Sequence, residues 1–158
     1  MYQDKFNFLF IIYLYSVNLT EDGKKALLRL SKGDMRRALN ILQACHAGYE
    51  RIDETAIYNC TGHPHPEHID MILNSILKDE YTTCYQKIER LKMENGYALT
   101  DIITDVYEKL QQADLPPETE IAMIANMSDI EYRLGEGADE KIQLGSLIGA
   151  FKLALPVL

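Results

Sequence analysis

Residues 31–40 read Ser31-Lys32-Gly33-Asp34-Met35-Arg36-Arg37-Ala38-Leu39-Asn40. Ser31, Lys32 and Gly33 break a preceding helix, since glycine accepts the backbone turn that ends one. Asp34 then offers a carboxylate to the free amides of a new first turn. The helix that it opens runs to about Ala47 on an apolar stripe of Met35, Ala38, Leu39, Leu42 and Cys45, and Gly48 stops it. Two arginines in that first turn are unusual, because the helix dipole already makes this end positive. Six bases against three acids between Glu21 and Arg37 deepen the field. An anion such as phosphate would account for an arginine placed there. On spacing alone, a solvated basic face is the commoner reading.

Outward from this stretch the chain reads as helices. Before it, Glu21 to Ser31 forms a short helix with Thr20 as cap and Ala26, Leu27 and Leu30 inward. After it, Asp53 caps a third helix to Cys60, with Ala56 and Ile57 inward. Thr61-Gly62-His63-Pro64 is the best linker. Pro66 then suits the first turn of a helix to about Leu77, striped by Ile69, Ile72, Leu73 and Ile76. Glu80 to Asn95 follows, closed by Gly96, and then Leu99 to Gln112, ended by Pro116-Pro117. Glu118 to Leu134 carries two apolar stripes. One is Ile121, Ile124, Ala125, Ser128 and Tyr132; the other is Met123, Met127, Ile130 and Leu134. Such a helix is expected in the middle of a bundle. The last, Asp139 to about Leu155, carries Leu144, Leu147, Ile148, Phe151 and Leu155. No alternating strand pattern occurs after residue 20. The expected fold class is all-α: three helices, a linker, then about five.

Charge divides the chain at the same linker. Residues 21–62 hold seven bases and six acids, whereas residues 63–158 hold eight and 17, net −9. The whole 158-residue chain carries −8. A chain this acidic does not, taken whole, wrap nucleic acid, which needs a basic surface. Apolar residues make up 47%, enough for a real core. Cys45, Cys60 and Cys84 are odd in number and widely spaced, which suits reduced thiols used as small apolar residues. Residues 1–16 are atypical. Phe8 to Tyr15 is uncharged and apolar, yet shorter than the roughly 20 residues a membrane span needs. Asp4 and a poor cleavage site argue against a signal peptide. The run reads as a packed strand or helix, or as a truncated or misassembled start.

No catalytic constellation stands out: no phosphate loop, dinucleotide fingerprint or nucleophile elbow is present. His63-Pro64-His65-Pro66-Glu67-His68 gathers three imidazoles and a carboxylate. Two prolines stiffen it and no second Cys/His cluster completes a zinc shell, so a solvated linker is the better reading. A metal-binding enzyme using this cluster is the remote alternative. Gly145-Ser146-Leu147-Ile148-Gly149 is a G-x-x-x-G, but Lys141, Gln143 and Lys152 flank it, which argues against a membrane. Small residues there leave room for another helix. Leu144, Gly145, Leu147, Ile148, Gly149 and Phe151 are therefore the candidate subunit interface, with burial inside the chain's own bundle as the alternative.

Gly33-Asp34-Met35-Arg36-Arg37-Ala38-Leu39-Asn40-Ile41-Leu42-Gln43 resembles the lid signature of replication factor C small subunits. Cys60-Thr61-Gly62-His63-Pro64 resembles their lid-to-collar junction. Asp129-Ile130-Glu131-Tyr132-Arg133-Leu134 and Glu140-Lys141-Ile142-Gln143-Leu144 are similar to the final collar helices, most like the subunit 5 type. The likeness runs in order from about Val17 to Phe151. It implies a AAA+ clamp-loader subunit with a lid at 17–62 and a collar at 63–158. In that family an ATPase domain comes first. The loader uses ATP and magnesium to place a sliding clamp on primer–template DNA in the nucleus, and collars hold five subunits in a ring.

By the same resemblance Arg36 matches the sensor 2 arginine, which reaches the terminal phosphate of ATP. Arg37 is the secondary candidate, since its i+4 neighbour is Ile41 whereas Arg36 shares a face with Asn40 and Gln43. The 158 residues carry none of the ATPase domain's motifs. The chain is thus expected to be no enzyme by itself and to hold no cofactor alone. The expectation is a scaffold piece of the loader, or a truncated isoform or misassembled gene fragment acting only as a helical interaction module. Serine or alanine stands in family members where Gly145 and Gly149 stand here.

Overall fold

The computed structural model describes residues 17–112 and 115–154. The apolar run Phe8 to Tyr15 and Leu155 lie outside them. Among the described residues there are eight helices and no strand. The chain divides into two compact units, the boundary falling between His63 and Pro64.

The first unit contains α1 (Glu21–Ser31), α2 (Met35–Gly48) and α3 (Glu54–Thr61), each packed on the other two. Its helix starts follow from local chemistry. The Thr20 hydroxyl accepts from the Gly23 amide at 3.2 Å, and Asp53 Oδ1 accepts from Ala56 N at 2.9 Å. Lys32, at φ 49°, takes the left-handed turn after α1 that the Ser-Lys-Gly breaker demands. The unit's core is Ala26, Leu27, Leu30, Ala38, Leu42, Cys45, Ile52, Ala56, Ile57 and Tyr58. Met35 and Leu39 of the expected stripe are only half-buried. Main-chain bonds from Thr20 N to Ile52 O and from Ile52 N to Asn18 O join residues 18–20 to 52, forming one parallel bridge. Gly23 permits this approach: a Cβ there would lie 2.6 Å from the Ile52 carbonyl oxygen.

The second unit contains α4 (Pro66–Lys78), α5 (Tyr81–Asn95), α6 (Leu99–Leu110), α7 (Pro117–Gly135) and α8 (Glu140–Ala154). Proline opens α4, and Gly96 at φ 70° ends α5. Helix α8 packs on α7, α5 and α4, so it is the central element. Helix α7 packs chiefly on α8 and α6. Met123, Met127 and Ile130 of α7 join Leu144, Leu147, Ile148 and Phe151 of α8 in one core with Ile69, Ile72, Ile76, Ile88 and Ile102.

This corrects two expectations. Helix α7 is not buried on both faces: Ile121 is 68% and Tyr132 70% exposed. Its two chief neighbours leave the other stripe uncovered. The apolar residues of α8 are not a free face. Leu144, Leu147, Ile148 and Phe151 are all buried in their own unit, because α8 is surrounded by α4, α5 and α7.

Candidate functional site

The basic start of α2 is built by Asp34. Its Oδ1 accepts from the main-chain amides of Arg36 at 2.8 Å and Arg37 at 3.3 Å. Both amides are thus satisfied locally, and both guanidinium side chains are exposed. Among the described residues neither makes an ion pair. Arg36 shares its exposed face with Asn40 and Gln43, whereas Arg37 sits one turn before half-buried Ile41. An exposed, fixed cation at a helix N-terminus can fork onto phosphate oxygens.

The histidine linker is organised otherwise. His68 Nδ1 lies 2.7 Å from the Tyr97 hydroxyl, and its ring meets His65 edge-on at 5.7 Å. Burial raises the Tyr97 phenol above its ordinary value. Among the described residues no three His, Cys, Asp or Glu side chains converge as metal ligands. One nitrogen of the His68 imidazole is already engaged by the phenol.

The two glycines of α8 behave differently. A Cβ at Gly145 would stand 2.8 Å from the Tyr81 hydroxyl, which donates to the Gly145 carbonyl at 3.2 Å. That small position is filled by α5 of the same unit, which corrects the expectation of room for a partner there. A Cβ at Gly149 meets nothing within 4 Å. The exposed apolar side chains that sequence reasoning assigned to the interior are Ile121 and Tyr132 of α7; Ile142 and Leu153 of α8 are also exposed. The two-stripe pattern on α7 was the available signal.

Polar contacts around Asp79 and Glu140 tie α4, α5 and α8 together. Asp79 accepts from Lys87 Nζ at 2.8 Å and Ser75 Oγ at 2.6 Å, and these bonds hold its carboxyl below the ordinary carboxylate value. Lys152 donates to the Asp79 main-chain oxygen, and Lys92 pairs with Glu140.

The thiols separate into two kinds. Cys84 is buried, and that burial raises its thiol. Burial, and after it the neighbouring Cys60 thiol, push Cys45 up to about 12. Cys60 itself is exposed, so of the three thiols expected to serve as small apolar residues only Cys45 and Cys84 are buried as such.

A family profile described as "Replication factor C C-terminal domain" matches residues 64–150, more than half of the chain. The chain belongs to the replication factor C family. Replication factor C subunit 3 of Schizosaccharomyces pombe is 49% identical over 135 residues, covering 85% of this chain and 40% of the relative. Replication factor C subunit 5 of Homo sapiens is 47% identical over 137 residues, covering 87% and 40%. Subunit 3 of Oryza sativa is 41% identical over 141 residues, covering 89% and 39%. The chain spans about two fifths of the length of these curated relatives. The matched family domain opens where the second compact unit opens, at Pro64. Among the described residues, no helix is long and apolar enough to cross a membrane.

Proposed function

We propose that this chain acts as the C-terminal, non-catalytic part of a replication factor C clamp-loader subunit. Residues 17–62 serve as the AAA+ lid and residues 63–158 as the collar that joins a five-subunit ring. The observation that carries this reading is the family match over residues 64–150, which lies on a self-contained five-helix unit. The partners are the other replication factor C subunits. Through the whole complex, the chain serves the loading of a sliding clamp onto primer–template DNA, in replication and repair in the nucleus.

Arg36 is the residue that senses nucleotide in an assembled subunit. Its exposure and the capped first turn beneath it support that role, with Arg37 secondary. ATP and magnesium belong to the ATPase domain of the full-length family. This chain alone holds neither, and the lid moves no bond.

The ring contact uses surface that the second unit leaves uncovered. Gly149 keeps open space beside α8, and the Ile121–Tyr132 stripe of α7 is apolar and exposed. Co-expression with the other loader subunits tests the reading. The wild-type chain is expected to co-purify with them. Gly149→Leu and Tyr132→Glu are expected to keep the thermal midpoint yet weaken recovery. Failure of the wild-type chain to co-purify overturns the assignment. Full recovery of both folded variants removes these two surfaces from the contact.

A further inference from the structure

Two side chains unused by the assembly role meet in the first unit. Cys45 lies in the last turn of α2 and Cys60 in the last turn of α3. The Cys45 sulfur sits 3.8 Å from the Ala56 carbonyl oxygen. Ala56 precedes Cys60 by four residues, so the two lie one turn apart on one face of α3. That face is the one against which α2 packs. The carbonyl that Cys45 Sγ approaches is the one that faces the Cys60 amide in the helix ladder, so the two cysteines are neighbours, and the Cys60 thiol helps to raise that of Cys45. Cys45 is wholly buried and Cys60 is exposed, so solvent reaches one cysteine of the pair and not the other. Cys84, the third free thiol, is buried in the other unit.

We propose that Cys45 and Cys60 form a peroxide-responsive dithiol that closes to a disulfide between α2 and α3. This goes beyond the family assignment and does not depend on it. Accessibility sets the order of events, since an oxidant arriving from solvent meets the exposed cysteine first. The Cys60 thiolate attacks one oxygen of a hydroperoxide. An S–O bond forms, the O–O bond breaks, and the leaving oxygen takes a proton to become water or an alcohol. Cys60 is then a sulfenic acid. The neighbouring Cys45 sulfur attacks it, an S–S bond forms, the S–O bond breaks, and hydroxide departs with the Cys45 proton as water. Two electrons pass from the sulfur pair to the peroxide. Burial keeps Cys45 from reacting with solvent oxidants directly, which leaves it as the resolving thiol. The bridge would tie the helix bearing Arg36 to the helix that ends at the Gly62 turn, across a 14-residue intervening segment. A reducing thiol reopens it, as suits a signalling bond in a reducing compartment.

The test uses the full chain treated with hydrogen peroxide, denatured, and blocked with N-ethylmaleimide. Before blocking, the expected product is a monomer about 2 Da lighter, the mass of the two hydrogens lost when a disulfide closes. It has one blockable thiol where the untreated chain has three, and a Cys45–Cys60 linked peptide that dithiothreitol releases. Cys60→Ser, at an exposed position, is expected to abolish the mass loss. Cys45→Ala is expected to stop at a dimedone-reactive sulfenic acid on Cys60. A wild-type chain that gains oxygen without losing the thiol pair, or forms a dimer cross-link, overturns the proposal. So does a Cys60→Ser chain that still loses two thiols to an internal disulfide.

Discussion

Asp79 closes α4 and joins it to two other helices. Its carboxylate holds Lys87 of α5 and Ser75 of its own helix, while its carbonyl receives Lys152 of α8. The folded carboxyl titrates below the ordinary value of 3.8, chiefly because Lys87 donates to the charged form. Its contribution to stability is therefore complete above that ordinary value and is lost as pH falls through the lowered folded value. Asp79→Asn should melt earlier than wild type at pH 7, and the gap should narrow as pH falls through the lowered folded value; a series of paired thermal melts from neutral to acid pH checks this. Asp79 is only half-buried and its Lys87 partner is exposed, so the difference will be modest. None of this was legible in the sequence. Asp79 and Lys87 are eight residues apart on different helices, and Lys152 is 73 residues away, so only the packing of α4, α5 and α8 brings them together. Asp34 is the opposite case. Its partners are two and three residues ahead, and a carboxylate after a helix breaker has few other uses.

At the scale of elements, that cap supports a second prediction. Asp34→Ala should cost about 1 kcal/mol, the usual loss of a helix N-cap, read as a shift in the urea midpoint of the first unit. The same substitution frees the amides beneath Arg36 and loosens the turn that holds its guanidinium. Helix α8 supports a third. Phe151 is only 1% exposed, so Phe151→Ala should cost about 3–5 kcal/mol through lost burial and a cavity. Ile142, 70% exposed on the same helix, should tolerate alanine within about 0.5 kcal/mol. Chemical denaturation of the two variants side by side checks both, and equal losses would mean that the inward and outward faces are misassigned. Apolar periodicity located these helices correctly but could not say which stripe of α7 was inward. Met123, Met127 and Ile130 and the rival Ile121, Ala125 and Tyr132 have equally good helical spacing. The choice was made by α6 and α8, which cover one side only.

For the whole molecule, net charge and missing motifs set the expectations. The purified chain should show no ATP turnover above a heat-killed control, since it carries no phosphate loop to seat the nucleotide. It should also bind primer–template DNA no more tightly than micromolar at physiological salt, measured by fluorescence anisotropy. At −8 overall it lacks the clustered bases that counterion release requires. What the sequence determined by itself is everything that depends on neighbours within a turn or two. The caps at Thr20, Asp34 and Asp53, the stops at Gly62 and Gly96, the proline start of α4 and the family motifs belong here. Each is a local hydrogen bond, a backbone restriction or a pattern readable along the chain. Only the tertiary structure decided what faces outward. It drew Leu144, Leu147, Ile148 and Phe151 into the core, filled the space at Gly145 with Tyr81, left Gly149 open and set Cys60 beside Cys45. The physical reason is that burial is a property of the surroundings. An apolar stripe states that a helix can be covered, and the positions of helices distant in sequence determine whether it is.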